Sequence, residues 1–207
     1  MPSHFMKAAF AGLALTLAGC ASLIAPSVKS DADALRPGAY SLDQGHAALL
    51  FRIDHLGYSD FIGRFERFDA TLDFDADNPE SASVSAVIDM TSLTLPDKDF
   101  AATLMGPNWF DAEAFPQASF TSTSVMLTGE NTGTVAGDLV LHGVKQPVTL
   151  DVTFNGGARD MLRGGYVTGF SASGTIDRTA FGVSQYSGLL ADEVTIEIEA
   201  EFLRSDD

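Results

Sequence analysis

Ten consecutive residues near the end of the chain, Glu193 to Phe202, alternate without a fault between polar and apolar side chains. Val194, Ile196, Ile198, Ala200 and Phe202 share one face, and Glu193, Thr195, Glu197, Glu199 and Glu201 share the other. Successive side chains of a strand point to opposite faces, so this pattern builds a strand with one dry and one wet side. A helix would scatter the same apolar residues around its circumference. A sheet that is wet on one face is antiparallel in character, because parallel sheets are covered on both.

The same period recurs from Gly38 onward. Val148, Leu150, Val152 and Phe154 repeat it, as do Val135, Gly137, Leu139 and Leu141, and Val84, Ala86, Ile88 and Met90. Leu49, Phe51 and Ile53 make a shorter run, and Phe170, Ala172, Gly174 and Ile176 another. Turn formers separate the runs at Asp77-Asn78-Pro79, Gly129-Glu130-Asn131 and Asn155-Gly156-Gly157. Short connections between consecutive strands predict a meander that closes into an all-β antiparallel barrel. One run changes phase: Phe61, Gly63 and Phe65 are odd-numbered, whereas Phe68, Ala70, Leu72 and Phe74 are even. A β-bulge near Glu66-Arg67 would absorb the extra residue and bend the strand.

One stretch is not strand. Asp97 to Gly106 reads as a short helix, with Asp97 able to cap its start and Gly106 able to end it. Pro107 to Asp111 would add a second helical turn. Phe100, Leu104, Trp109, Phe110 and Phe115 give this excursion an apolar face, which suits either a lid over one barrel end or a plug in a packed core.

The segment before the barrel has a different character. Lys7 precedes an apolar run from Ala8 to Leu17 that is too short to span a membrane and fits a secretory leader. The run closes on Leu17-Ala18-Gly19-Cys20, which resembles the lipobox of bacterial lipoproteins. That resemblance implies cleavage after residue 19 and acylation of Cys20. Ala21 rather than Asp follows the cysteine, which by the same resemblance favours the outer membrane. Residues 20–37, rich in Ser, Ala, Pro and Asp, read as a flexible stalk between lipid and domain, and residues 38–204 as the barrel.

Composition excludes some partners. Twelve Lys and Arg stand against 28 Asp and Glu, for a net charge of −16, so no basic cluster is available for nucleic acid or for anionic lipid. Cys20 is the single cysteine, so no intrachain disulfide can form. Fifteen Phe against one Trp and four Tyr supply apolar area without polar groups to satisfy, as a hydrocarbon lining or an ordinary β core would need.

Catalytic patterns are missing: there is no phosphate loop, no zinc-protease helix and no serine-nucleophile elbow. The domain's histidines, His46, His55 and His142, have no ligand spacing and sit at strand ends, where a structural hydrogen bond is usual; no metal site is expected. Asp177-Arg178 reads first as a turn-holding ion pair and second as a headgroup contact. No enzymatic activity is expected. Were there one, Asp177, Arg178, His46 and His55 are the candidates at the barrel mouth.

Further motifs run in order along the whole domain: Tyr40-Ser-Leu-Asp43 with His46, Phe51-Arg-Ile-Asp-His55-Leu-Gly57, Gly63-Arg-Phe65 and Asp73-Phe-Asp75. Ile88-Asp89, Lys98-Asp99, Phe110-Asp111, Phe115-Pro116 and Phe120-Thr-Ser122 follow, and then the long block Gly137 to Asp151. Gly169-Phe170, Ile176-Asp-Arg178 with Phe181-Gly182, and Asp192 to Ile198 complete them. With these the chain resembles the YceI-like, polyisoprenoid-binding periplasmic proteins. The resemblance implies a lipocalin-like barrel holding an isoprenoid lipid, a polyprenyl or quinone tail, with no other cofactor. Many members are soluble, whereas this chain carries Cys20, and Lys98 stands where Arg is common. Inward residues expected to touch such a lipid are Phe51, Phe65, Leu72, Phe74, Ile88, Leu139, Val152 and Phe170. A packed interaction module without a ligand, or an enzyme acting on the lipid, are the alternatives.

Overall fold

The computed structural model describes residues 25–205. The leader and Cys20, with their expected cleavage and acylation, lie outside the described residues.

The strands are β1 (Gly38–His55), β2 (Ser59–Phe65), β3 (Phe68–Phe74), β4 (Ser83–Asp89), β5 (Leu93–Thr94), β6 (Gln117–Leu127), β7 (Thr132–Leu141), β8 (Val144–Asp160), β9 (Gly165–Asp177) and β10 (Glu193–Arg204). All pair antiparallel, and β10 returns to β1 along Ile53↔Val194 to Tyr40↔Arg204, which closes the sheet. Because β2 and β3 follow one another along β1, and β5 prolongs β4, the described strands make an eight-stranded barrel. The alternating faces explain the closure: the apolar sides of the strands turn to one lumen, and the β10–β1 pairing leaves neither of those strands as an edge, although β5 pairs on one side only.

The expected phase change lies where it was read, but its form differs. The strand does not bulge at Glu66-Arg67; it breaks there into β2 and β3. Glu66 N–H donates to Ser92 O and Arg67 N–H to Ser92 Oγ, while Asp89 N–H donates to Arg67 O. The 3-10 turn Met90–Ser92 and the residue before it thus take over the backbone bonds that the break leaves open. A second phase change, in β1, was not foreseen. The register against β10 shifts between Leu42 and Ala47, so the inward set passes from Tyr40 and Leu42 to Leu49, Phe51 and Ile53. Both interruptions sit at the same level and bend the wall together.

Asn155-Gly156-Gly157 is also not a turn. β8 runs through it with a bulge at Asn155 and ends at Asp160. The glycines serve a crossing segment instead: Lys29 pairs with Gly157 as a β-bridge. Gly156 has φ +137°, and a Cβ on Gly157 would lie 2.7 Å from Ala34 O. Residues 29–37, expected to belong to a flexible stalk, are therefore packed against the barrel. Tyr166 Oη donates to Ala34 O, Arg36 stacks over the Tyr166 ring at 4.1 Å, and Tyr40 Oη donates to Arg36 O at 2.7 Å. Burial pushes the Tyr40 phenol up to about 12.

The turn between β8 and β9 is held by a charged staple. Asp160 Oδ1 accepts from the N–H groups of Leu162 and Arg163, and Arg163 binds Asp160, Asp43 and Glu201 through its guanidinium. The Arg163 bond holds Asp160 below the usual carboxylate range. Burial pushes Asp43 up, but hydrogen bonds from His46, Arg163 and Gly45 N–H outweigh it and hold it low as well. Depressed carboxylates add stability that is complete above their unfolded pKa of about 3.9 and is lost as pH falls through the lower folded value. Urea midpoints followed from pH 7 to pH 2 should therefore drop steeply below about pH 4 in the wild type. In Arg163→Met the midpoint should already be lower at pH 7 and the acid slope shallower. Parallel curves for the two proteins contradict this account.

The helix is α1 (Lys98–Met105), with Asp97 Oδ1 accepting from Asp99 N–H at 2.9 Å and Phe100 N–H at 3.1 Å, as read from the sequence. Residues 107–110 form hydrogen-bonded turns rather than a second helical turn, and Asp111 takes φ +45°.

Candidate functional site

Strand direction sorts the connections to two ends. β1 begins, and β3, β6, β8 and β10 finish, at one end, which also carries residues 25–37. The other end carries α1, the turn after β1, and the long connection from β9 to β10.

Between two clusters of buried side chains runs a cavity of about 700 Å³. Inward residues from Val194 to Phe202 on β10 line it, a span of about 26 Å along the strand, or roughly 20 Å along the barrel axis at an ordinary tilt. An eight-stranded barrel is narrow enough for side chains to fill. This one is hollow because small residues stand at inward positions that bulky ones would close: Ala70, Ala86, Ala172, Ala200 and Gly63. Large rings lie flat on the wall beside them. The Phe51 ring covers Gly63, where a Cβ would meet it at 2.4 Å, and Phe120 covers Gly137 in the same way.

The helix end is plugged. Leu104 is buried and lines the cavity, Phe110 meets Phe51 and Phe65 edge-on at 6.3 and 5.9 Å, and Phe100 meets Phe61 at 5.5 Å. The excursion is thus both the lid and the core of this end. Behind it Arg178, 4% exposed, spends its guanidinium on the carbonyls of Val183, Gln185, Leu190 and Ala191 and on Asp192 Oδ1. Asp177 caps the 3-10 turn Arg178–Phe181 through Thr179. The two residues hold a loop, but not as the expected ion pair with each other: Arg178 pairs with Asp192 and Asp177 with Thr179, and the guanidinium's donors are already used.

The histidines are dispersed. His46 bonds Asp43 at 2.8 Å, His142 Nδ1 lies 3.1 Å from Phe181 O and its ring packs on Phe115, and His55 is exposed. No group of three metal-ligating side chains is found among the described residues.

All eight nominated residues line the cavity: Phe51, Phe65, Leu72, Phe74, Ile88, Leu139, Val152 and Phe170. Phe51, Phe65 and Ile88 stand toward the plugged end, and Leu72, Phe74 and Phe170 toward the other. Leu139 and Val152 belong to the wall between. Sequence reasoning missed Ile196 and Ile198, which were already legible on the dry face of β10, and Phe120 and Phe154. It also missed Leu35 and Arg36, which close in over the second end from a segment with no period to read. Asp33, Arg36 and Glu130 put charge at that rim, whereas the wall between the ends is apolar.

A closed antiparallel barrel with a plugged base and a hollow apolar interior is a lipocalin-like barrel. More narrowly, the chain belongs to the YceI-like family, whose domain model matches residues 40–202. A UPF0312 protein of Pseudomonas putida is 34% identical over 198 residues, 95% of this chain and 97% of that one. BcnA of Burkholderia cenocepacia superposes with a TM-score of 0.69 at 29% identity, over 77% of this chain and 98% of BcnA. A polyisoprenoid-binding domain of Saccharophagus degradans, implicated in plant cell wall breakdown, shares the fold with a TM-score of 0.59 at 14% identity, over 80% and 98% of the two chains.

Proposed function

We propose that this protein binds one long apolar chain, a polyprenyl or quinone-type tail, inside its barrel, and sequesters or carries it in the bacterial envelope. The observation that carries the reading is the continuous apolar lumen of about 700 Å³. A fully packed interaction module has no use for such a space. The Saccharophagus neighbour, described as polyisoprenoid-binding, supports the ligand class. Each methylene moved from water to this wall gains roughly 0.8 kcal/mol, so ten of them offset the cost of association without any polar contact. The placement of the polar groups supports binding as the reading: Arg178 and Asp177 are spent on a loop, and His46 and His55 do not converge with them.

In the same reading the chain is exported, Cys20 is acylated, and the barrel is tethered in the periplasm, at the outer membrane. Several acyl chains hold a protein firmly where one holds it marginally.

Organic extraction of the purified protein followed by mass spectrometry should release an isoprenoid lipid, and emptied protein should take up a fluorescent polyprenyl probe. Absence of both removes the carrier reading. Cys20→Ser should move the protein from the membrane fraction to the soluble fraction or leave it unprocessed. Equal membrane recovery of both forms removes the tether alone.

A further inference from the structure

Exposed apolar side chains stand at both ends of the barrel: Leu56, Tyr58, Tyr186 and Leu189 at the plugged end, and a second set at the unplugged end, where chain geometry brings the tether. Met161 and Leu162, at the tip of the β8–β9 hairpin, are 75% and 78% exposed. Val28 on the crossing segment, and Met126 and Leu127 at the end of β6, are exposed at the same end. The hairpin overhangs its neighbour: pairing of β7 with β8 stops at Thr153, while β8 runs on to Asp160. Its tip is not loose, because Asp160 fixes the N–H groups of Leu162 and Arg163 and Arg163 ties the turn to β1 and β10. Two adjacent large apolar side chains on a pre-set turn are held ready for an apolar partner at little ordering cost.

Chain geometry says which. Lys29 is pinned to Gly157 beside this hairpin, and Cys20 stands nine residues before it. Nine residues reach at most about 30 Å, so an acyl group on Cys20 holds this end, and not the helix end, toward the bilayer. The cavity reaches the same end, between the segment Leu35 to Pro37 and the turns after β3 and β6.

We infer that the β8–β9 tip inserts Met161 and Leu162 into the bilayer surface and sets the barrel's mouth against it, so that an apolar chain passes between bilayer and lumen without crossing water. The inference rests on the carrier and tether readings and adds the surface through which loading occurs. Charge does not drive the docking. Asp31, Asp33, Asp75, Asp77, Glu80 and Glu130 at this end outnumber Lys29, Arg36, Arg159 and Arg163, so an anionic surface is not favoured and contact is made by apolar insertion. Docking to zwitterionic vesicles should accordingly be insensitive to added salt.

The test uses the full lipidated protein in phosphatidylcholine vesicles. Acylation blocks Cys20, so Leu162→Cys or Tyr58→Cys supplies one thiol for an environment-sensitive dye, Tyr58 being an exposed residue of the opposite end. Bilayer-embedded quenchers should reach the dye at 162 and not at 58. Met161→Asp/Leu162→Asp should slow transfer of the polyprenyl probe between vesicles at least tenfold, with melting and equilibrium uptake from detergent unchanged. Quenching at 58 alone, or at neither site, overturns the inference, as does transfer by the double variant at the wild-type rate. Failure of the wild type to take up probe from detergent strikes the carrier reading instead.

Discussion

Gly137→Val is expected to abolish folding of the barrel, although valine is the better strand former. A Cβ at Gly137 would lie 2.4 Å from the Phe120 ring and 2.6 Å from Thr121 O on the neighbouring strand β6. The ring can be displaced at the usual overpacking cost of about 1–3 kcal/mol. The carbonyl cannot be, because Thr121 is paired in register with Asp138 on one side and Ser85 on the other. Moving it breaks ladder bonds in two strand pairs, each worth about 1 kcal/mol net. Together these approach the roughly 5–15 kcal/mol that holds a whole domain. Gly137→Ala should lower stability by about 3 kcal/mol or more and Gly137→Val should yield no soluble barrel, read by urea titration and circular dichroism. Gly63→Ala is the instructive contrast. Its Cβ would first meet the Phe51 ring and the end of Leu95, both side chains. That variant should fold and lose lumen volume, as Phe51 swings inward. Wild-type stability in Gly137→Val removes the argument from backbone proximity.

How far the sequence carried the fold can be seen at particular residues. Alternation alone placed β10 and the inward sets of β4, β7 and β9, because a strand wet on one face must show its period. The helix was legible from Asp97 and Gly106, whose roles are local to the chain. The phase change at Glu66-Arg67 was legible as a position, since apolar residues stand on both sides of it. Its form was not legible, because the break depends on what Ser92 supplies from a distant turn. The change in β1 stayed hidden for a similar reason. Asp43 and His46 are polar residues, and Asp43 fixes the irregularity through its bonds to His46 and to Arg163. The crossing segment was illegible altogether: it is held by backbone carbonyls and by Tyr166 and Gly157, far along the chain.

The site divides along the same line. Periodicity says which side chains turn inward, and every nominated residue does line the cavity. It does not say whether inward side chains meet in the middle. That depends on the sum of their volumes around each level of the barrel, which no single strand reveals. Inward Ala residues were present on several strands, at Ala70, Ala86, Ala172 and Ala200, and only their convergence on one lumen makes them a cavity.

This makes Ala172 the position where the proposed function is most exposed to test. It lies on the inner face of β9, paired with Val152 on β8 and Ile198 on β10, and faces open lumen. Ala172→Phe should fold, because the added ring enters space that is already there and buries apolar surface, a change that tends to be neutral or stabilising when it fills a void. The same ring takes the place of bound hydrocarbon. Displacing four methylene equivalents costs roughly 3 kcal/mol of ligand free energy, or about a hundredfold in affinity. Thr175→Phe, on the outer face of the same strand, adds an equal ring outside the barrel and should leave uptake unchanged. The measurement is equilibrium uptake of the polyprenyl probe by wild type and both variants, with melting curves to show that all three are folded. A folded Ala172→Phe that still binds like the wild type puts the lipid somewhere other than this lumen, and with it goes the proposal that the hollow of the barrel is the binding site.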